Sequence, residues 1–273
     1  MEAAPDVLAG LNPAQKEAVL HVDGPLLIFA GAGTGKTRVI THRIAHLMYD
    51  IGIPPENILA VTFTNKAAEE MRTRLASLAK GSQDADGARK VFFATFHRFC
   101  AWLLRNHGEP VGVKRHFTIY DDADSLHVIR QILKSMDLES SLYRPSVIAS
   151  IIDRAKNDLR GPADVQASAD GPVEEKAASI FSEYERRLRE AGALDFTDLL
   201  VYAVRLLDAS EEIRKHLQNK FAYILVDEYQ DTNAAQFTIL RRLASHGNIC
   251  VVGDDDQAIY SWRGADIRNI LSF

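Results

Sequence analysis

A glycine-rich run between a short apolar segment and a helical pattern constrains this chain more than any other feature. Residues 26–30 are apolar, the run Gly31-Ala32-Gly33-Thr34-Gly35-Lys36-Thr37 follows, and a helical pattern begins at Arg38. Glycines allow backbone N–H groups to wrap around a phosphate, and the positive end of the helix dipole strengthens the attraction. The order of strand, loop and helix therefore predicts a phosphate-binding loop.

Two side chains at the end of this run have the chemistry that a bound nucleoside triphosphate needs. Lys36 is predicted to reach the terminal phosphates, and Thr37 to offer its hydroxyl to Mg²⁺. The pattern usually begins with glycine, where this chain has Ala30. The alternative is a glycine-rich turn with an ordinary exposed lysine, and the strand and helix on either side favour the phosphate loop.

An acidic pair, Asp227 and Glu228, stands at the end of the apolar run over residues 223–227. Asp227 is predicted to hold Mg²⁺ directly or through water, because a phosphate loop needs a metal-holding carboxylate on a neighbouring strand. Glu228 follows directly and could accept a proton from the attacking water as a general base. The alternative is an acidic pair that merely ends a strand, and the phosphate loop elsewhere in the chain favours the catalytic interpretation.

Five short apolar runs have the continuous character of strands buried on both faces of a parallel sheet. They comprise residues 26–30, 58–63, 91–95, 223–227 and 249–253. We predict an α/β fold of the P-loop NTPase, RecA-like type, with helices flanking the sheet. From about 110 to 193 the strand signal is replaced by amphipathic helical spacing, which predicts an inserted all-helical subdomain between motor segments 1–109 and 194–273.

Three local features refine this prediction. A helix is expected over 66–78, with Asn65 as its N-cap. In the insertion, a stripe of Ile180, Phe181, Tyr184 and Leu188 predicts a helix that Gly192 ends. Residues 80–88 and 160–172 have the composition of loops.

Composition narrows the class of protein without naming a partner. The chain has 273 residues and a formal net charge of -5, so any binding of nucleic acid has to depend on a local basic surface. The first residues have neither the positive charge nor the apolar stretch of a signal peptide, which favours the cytoplasm. Cys100 and Cys250 lie within apolar runs and are expected to be buried, reduced thiols.

The run at 249–253 leads into residues that could join two chemistries. Gln257 could sense a terminal phosphate, while Tyr260, Trp262 and Arg263 offer stacking faces and positive charge suited to unpaired bases. The alternative is that these aromatic side chains belong to the core or to a protein interface.

Taken together, the motifs resemble those of the superfamily one helicases of the UvrD, PcrA and Rep type. The matching segments, in chain order, are Leu11-Asn12-Pro13-Ala14-Gln15, Gly31 to Thr37, Thr62-Phe63-Thr64-Asn65-Lys66-Ala67-Ala68, Thr95-Phe96-His97-Arg98-Phe99, Leu194-Asp195-Phe196-Thr197-Asp198-Leu199-Leu200, Val226-Asp227-Glu228-Tyr229-Gln230-Asp231-Thr232-Asn233 and Gln257 to Gly264. The resemblance covers almost the whole chain.

The resemblance implies an ATP-dependent DNA helicase that uses Mg²⁺ and moves 3'-5' along single-stranded DNA, acting at junctions of single and double strands. Gln15 would read adenine and Arg38 would lie against the base. The single strand would pass residues Phe63, Asn65, His97, Tyr260, Trp262 and Arg263. Glu228, Lys36 and Gln257 would form the catalytic set.

The sequence ends at Phe273, before the second motor domain that such helicases have. We therefore expect this chain alone to bind Mg-ATP but to hydrolyse it slowly. Two alternatives stay open: a naturally short, nucleotide-gated module that binds DNA or a partner without unwinding, and a P-loop ATPase acting on a protein or metabolite. Guanine recognition is not supported, because Asn65-Lys66-Ala67-Ala68 lacks the aspartate of the guanine-reading tetrad.

Overall fold

A computed structural model describes residues 6–31, 33–79 and 87–254 of the chain. Its strands are β1 (Leu26–Phe29), β2 (Ile58–Thr62), β3 (Phe92–Thr95), β4 (Thr118–Tyr120), β5 (Ala193–Asp195), β6 (Tyr223–Val226) and β7 (Ile249–Gly253). A five-stranded parallel sheet has the order β1-β7-β6-β2-β3, and β4 pairs with β5 separately, also in parallel. The five predicted strands are confirmed, with bounds within one residue.

Helices connect these strands along the chain. They are α1 (Pro13–Leu20), α2 (Lys36–Tyr49), α3 (Asn65–Leu78), α4 (Gly87–Lys90), α5 (Phe96–His107), α6 (Asp122–Ser135), α7 (Pro145–Asn157), α8 (Pro162–Ala167), α9 (Pro172–Ala191), α10 (Phe196–Ala209), α11 (Glu211–Lys220) and α12 (Ala234–Leu243). Within the part of the chain that the structure describes, no helix has the length and apolar character needed to cross a membrane.

The first of two compact units holds the five-stranded sheet and comprises Met1–Phe99, Glu211–Thr232 and Leu240–Phe273. Strands β2, β6 and β7 are buried along their whole length, as expected for a parallel sheet covered on both faces. Its main core joins α2, α3 and the strands through Ile40, Ile44, Leu47, Met71, Leu75, Ala60, Leu225, Cys250 and Val252. The predicted α/β class is confirmed.

The second compact unit comprises Cys100–Ser210 and Asn233–Ile239. Its core is helical, and the predicted stripe of Ile180, Phe181, Tyr184 and Leu188 is buried on α9. Gly192 ends that helix in the left-handed conformation, with φ of 61°, as predicted.

Two features of the second unit differ from the sequence prediction. The β4–β5 pair was not predicted, because strands of three residues are too short to produce an apolar run. The predicted loop over 160–172 is wrong in part, since it contains α8, which begins at Pro162. Proline suits the first turn of a helix, where its missing N–H has no partner to lose.

The second unit is wider than the predicted insertion over 110–193. It takes in the C-terminal part of α5 and all of α10, and α10 packs against both α7 and β5. The division of the chain at residues 110 and 193 stays a prediction.

The start of α3 corrects the predicted N-cap. Thr64, not Asn65, is the N-cap, because its backbone is still extended and its hydroxyl accepts a hydrogen bond from the Ala67 N–H. Asn65 is the first residue of the helix. The cap is shifted by one residue because β2 runs directly into the helix through Phe63 and Thr64.

Both cysteines are buried free thiols, Cys100 at the start of the second unit and Cys250 on β7. Burial raises the pKa of both thiols, that of Cys250 to about 11. They are therefore apolar core residues, as predicted.

Candidate nucleotide-binding site

Strand order brings the predicted nucleotide residues to one edge of the sheet. β7 lies between β1 and β6, and all three run in the same direction. The loop after β1 carries the glycine-rich run, Asp254 follows β7, and Asp227 and Glu228 follow β6. Because the carboxyl ends of parallel strands meet at the same edge, segments far apart in sequence converge there.

The glycine-rich loop has a backbone conformation that residues with a side chain rarely adopt. Gly33 and Gly35 have φ of 73° and 93°, in the left-handed region where glycine is unstrained. A side chain at Gly35 would also place its Cβ 3.1 Å from Gln15 Nε2. Helix α2 begins immediately afterwards at Lys36, so the N-terminus of the helix lies next to the loop. Ala32 lies outside the described residues.

Lys36 lies between two carboxylates supplied by neighbouring strand ends. Its Nζ donates a hydrogen bond to Glu228 Oε2 at 3.0 Å and lies 3.7 Å from Asp254 Oδ2. The lysine is only 9% exposed. A buried ammonium needs such partners, and the oxygen atoms of a phosphate could replace them.

Thr37 and Asp227 lie together beside this lysine. The Thr37 hydroxyl donates to Asp227 Oδ2 at 3.4 Å, and Asp227 is 3% exposed. Burial, and then the neighbouring charge of Glu228, raise the pKa of Asp227 to about 6. The first unit therefore holds a carboxylate and a hydroxyl that favour a cation at this point.

The donor set fits Mg²⁺, which prefers oxygen ligands and usually takes one or two protein ligands together with phosphates and water. Among the described residues, the carboxylates of Asp227, Glu228, Asp231 and Asp254 all lie near Lys36. In the part of the chain that the structure describes, Asp231 Oδ1 is buried and has no hydrogen-bond partner. Within the described ranges, no group of three or more His, Cys, Asp and Glu residues could hold a metal ion by itself.

Glu228 has an unusual backbone and a residue that fixes its side chain. Its φ of 51° is left-handed, a conformation that non-glycine residues rarely adopt. Gln230 Nε2 donates to Glu228 Oε2 at 2.8 Å, while Gln230 Oε1 accepts from the Asp254 N–H at 3.0 Å. Gln230 therefore joins the predicted general base to the first residue after β7.

Gln230 and Asp254 were not identified as site residues from the sequence. Gln230 is 2% exposed and stands two residues after Glu228, within a segment already singled out. Asp254 is the first of three consecutive aspartates. Only the parallel pairing of β6 with β7 brings the two residues together.

Gln15 connects α1 to the glycine-rich loop. Its Nε2 donates to the Thr34 backbone oxygen at 2.9 Å, and its Oε1 accepts from the Asn12 N–H at 3.0 Å in a capping box. Arg38, one residue after Thr37, is exposed, and its Nη2 reaches the Ala9 backbone oxygen at 3.5 Å. Both residues predicted to meet the base therefore lie beside the loop.

The residues predicted to contact DNA are described only in part. Phe63 follows β2 and His97 follows β3, and these strands are paired so that Thr62 lies opposite Thr95. Phe63 is half-buried and packs edge-on against buried Phe96, with ring centroids 5.6 Å apart. Asn65 is exposed at the start of α3. Gln257, Tyr260, Trp262 and Arg263 lie outside the described residues.

A parallel sheet, a glycine-rich loop leading into a helix and an acidic pair directly after β6 define a P-loop NTPase domain of the RecA-like type. Residues 11–273 match the family model described as UvrD/REP helicase N-terminal domain, and the chain belongs to that family. The resemblance read from the motifs is thereby confirmed.

Individual relatives agree with the family. The chain is 47% identical over 268 residues to proteins called ATP-dependent DNA helicase PcrA in Staphylococcus aureus and Bacillus subtilis, and 46% identical to the one in Staphylococcus epidermidis. Each match covers 98% of this chain and 36% of the relative. The chain thus spans about a third of the length of these relatives.

Proposed function

We propose that the chain is the ATP-binding motor part of a 3'-5' DNA helicase or single-stranded DNA translocase that works in the cytoplasm. It would hydrolyse Mg-ATP to move along a single strand and act at junctions of single and double strands. The observation that carries the proposal is the position of Lys36 between Glu228 and Asp254, at the helix end of a glycine-rich loop. The names of the relatives support ATP and DNA as ligands.

The side chains suggest a division of labour during hydrolysis. Lys36 would exchange its carboxylate partners for terminal phosphate oxygens, leaving Glu228 free to accept a proton from the attacking water. Gln230 would keep the Glu228 carboxylate aimed while that exchange occurs. Thr37 and Asp227 would hold Mg²⁺, which offsets the negative charge on the phosphates when it is bound. Gln257 would sense the terminal phosphate from the segment after β7.

Gln15 has the free hydrogen-bonding capacity to read adenine. Its amide carries two N–H donors and two oxygen lone pairs, and the contacts to Thr34 and Asn12 use one of each. Among the described residues no other contact uses this amide, so one donor and one acceptor remain, which is the pattern that glutamine uses to read the N7 acceptor and N6 donor of adenine. Arg38 would lie against the same base.

Farther along the same carboxyl edge of the sheet, the ends of β2 and β3 would supply a surface suited to an unpaired strand. Phe63 offers an aromatic face, Asn65 and His97 offer polar groups, and Lys66 and Arg98 add positive charge at the ends of the paired strands β2 and β3. Stacking with aromatic rings is tolerant of sequence, as a translocase requires. Tyr260, Trp262 and Arg263 would extend this surface.

Removing the Lys36 ammonium should weaken nucleotide binding. We expect Lys36→Ala to lower affinity for Mg-ATPγS about 10- to 150-fold, because hydrogen bonds to charged groups contribute about 1.5–3 kcal/mol. Isothermal titration measures this loss. The matched control is Lys215→Ala, which removes a lysine that is 67% exposed on α11. Equal affinities in wild type and Lys36→Ala would rule out the phosphate role.

The proposed surface for single-stranded DNA is tested by replacing Phe63 with side chains that lack or keep an aromatic ring. Phe63→Leu keeps an apolar side chain against Phe96, whereas Phe63→Trp keeps an aromatic face. We expect Phe63→Leu to weaken binding of fluorescein-labelled oligo-dT about 5- to 150-fold and Phe63→Trp to bind like wild type, since stacking contributes about 1–3 kcal/mol per base.

The DNA measurement is made by fluorescence anisotropy at low salt, with and without Mg-ATPγS. If wild type binds no oligo-dT under these conditions, the DNA proposal fails, and a P-loop ATPase acting on a protein or metabolite becomes the better explanation. Equal binding by both Phe63 variants would remove this phenylalanine from the strand path.

A further inference from the structure

A buried arginine on α2 has no part in the catalytic set described above. Arg43 is 2% exposed, and among the described residues no carboxylate lies within ion-pair distance of it. Burial lowers the pKa of Arg43, although a guanidinium stays protonated in proteins. A buried charge is costly unless polar groups compensate it, so its partners indicate what it holds in place.

Those partners are backbone oxygens at the C-terminal end of α1. Nη1 donates to the Ala18 oxygen at 3.0 Å and to the His21 oxygen, and Nη2 donates to the Val22 oxygen at 3.1 Å. Ala18 is in the last turn of the helix, where carbonyls lack partners within the helix and the dipole is negative. The guanidinium therefore fastens the end of α1 to α2.

The turn that precedes α1 contacts α2 as well. Arg38 Nη2 reaches the Ala9 oxygen at 3.5 Å, and a side chain added at Gly10 would meet that same nitrogen at 2.6 Å. Between these two attachments lies Gln15, whose amide contacts the glycine-rich loop at Thr34. The distance from Gln15 to the loop thus depends on where α1 is held along α2.

We propose that Arg43 is a positioning residue for base recognition: by fastening the C-terminal end of α1, it holds the Gln15 amide at the adenine position. This inference rests on the proposed reading of adenine by Gln15. Removing the guanidinium lets α1 shift along α2 while the phosphate loop, Lys36 and Thr37 keep their places. Selectivity for the base is then lost, and phosphate binding is retained.

The test compares affinities for Mg-ATPγS and Mg-GTPγS by isothermal titration. Gln15→Ala measures the full contribution of the amide, and we expect it to lower the ATP-to-GTP affinity ratio by about tenfold. Arg43→Met, which keeps the length of the side chain, is expected to lower the ratio by a similar factor, with affinity for Mg-GTPγS within about threefold of wild type. A purely structural role would weaken both nucleotides together.

Two further variants separate positioning from stability. Ile44→Ala opens a cavity in the main core of the first unit, a cluster in which no α1 residue takes part among the described residues, and it should leave the ratio unchanged. Arg43→Lys keeps the charge but loses the planar fork that reaches separate carbonyls. We expect it to speed hydrogen exchange of the α1 amides, and this measurement stands even if Arg43→Met does not fold.

The outcomes distinguish the two proposals. If the ATP-to-GTP affinity ratio falls in Gln15→Ala but is unchanged in Arg43→Met, the role of Arg43 is overturned and adenine reading is left intact. An unchanged ratio in Gln15→Ala would overturn adenine reading, and the role of Arg43 with it. An equal loss of ratio in Ile44→Ala, or unchanged exchange of α1 in Arg43→Lys, would also overturn the positioning role.

Discussion

Replacing Glu228 with glutamine is expected to lower the rate of ATP hydrolysis about 10²- to 10⁴-fold while leaving the affinity for Mg-ATP close to that of wild type. Glutamine has nearly the same shape, and its amide oxygen can still accept hydrogen bonds from Lys36 and Gln230, which both donate to Glu228 Oε2. It cannot take a proton from water. The loss should therefore fall on turnover and spare binding.

The measurement is a single-turnover assay by rapid quench, because release of product can hide a slow chemical step. It uses a protein that carries both motor domains, in which we expect hydrolysis to be fast enough to follow. Asp231→Asn is the matched control, since it removes a carboxylate from the same loop, three residues from Glu228. In the wild-type chain the pKa of Asp231 is raised to about 6, mainly by burial, so this carboxyl already carries less than its full negative charge.

We expect Asp231→Asn to hydrolyse ATP within about tenfold of the wild-type rate, as it removes no proton acceptor from the reacting water. A Glu228→Gln rate within about threefold of wild type would remove the general-base assignment. Equal losses in both variants would mean that charge in the loop, and not proton acceptance at Glu228, sets the rate.

The sequence predicted those parts of the molecule that local patterns determine. Five apolar runs predicted the five strands, and a single glycine-rich run predicted the loop before Lys36. The exact N-cap of α3 was harder to predict, because Thr64 and Asn65 are both residue types that cap helices well. Only the extended backbone at Thr64 decides between them. The strands β4 and β5 gave no signal, because each has only three residues.

Distant contacts outside a known motif could not be predicted from one sequence, unlike the meeting of Thr37 with Asp227. Gln230 meets the Asp254 N–H across 24 residues, and Arg43 meets Val22 across 21. Lys156 meets Asp195 across 39 residues. Polar residues such as these look like surface residues in the sequence, and only the fold shows that their partners are buried with them. The roles predicted for Tyr260, Trp262 and Arg263 lie outside the described residues and stay predictions.

Lys156 is a buried charged residue of the second unit whose replacement should cost much stability. It is 3% exposed on α7, and its Nζ forms ion pairs with Glu185 at 2.7 Å, Asp195 at 2.8 Å and Asp198 at 2.6 Å. Tyr184 adds its ring, 5.0 Å from Nζ, and donates its hydroxyl to Asp195. One ammonium therefore joins α7, α9 and the start of α10.

The group is short of positive charge. Asp153 also lies close by, accepting a hydrogen bond from Thr197, and burial raises its pKa. Burial raises the pKa of Asp198 to about 7, although Lys156 opposes the shift. Because this pKa is raised in the folded state, the folded chain binds the proton more tightly than the unfolded one. The contribution of Asp198 to stability therefore falls as pH rises from about 4 to 7 and is constant above that.

Lys156→Met keeps the apolar length of the side chain and leaves the carboxylates without their cation. We expect it to lower the free energy of unfolding at pH 8 by about 3–5 kcal/mol, the usual cost of breaking a buried ion pair on one side. Without Lys156 the pKa of Asp198 rises further, so protonation neutralises more of the group at low pH. The loss at pH 5.5 should consequently be smaller than the loss at pH 8.

Urea unfolding measures the difference, followed by the fluorescence of Trp102 in a Trp262→Phe background, so that the signal comes from the second unit. The double variant Lys156→Met with Asp198→Asn removes one cation and one anion together. At pH 8 it should be more stable than Lys156→Met alone, and its free energy of unfolding should depend less on pH. A loss that is the same at both pH values would contradict the excess of buried carboxylate. A loss below about 1 kcal/mol at pH 8 would mean that Lys156 only fills space between the three elements.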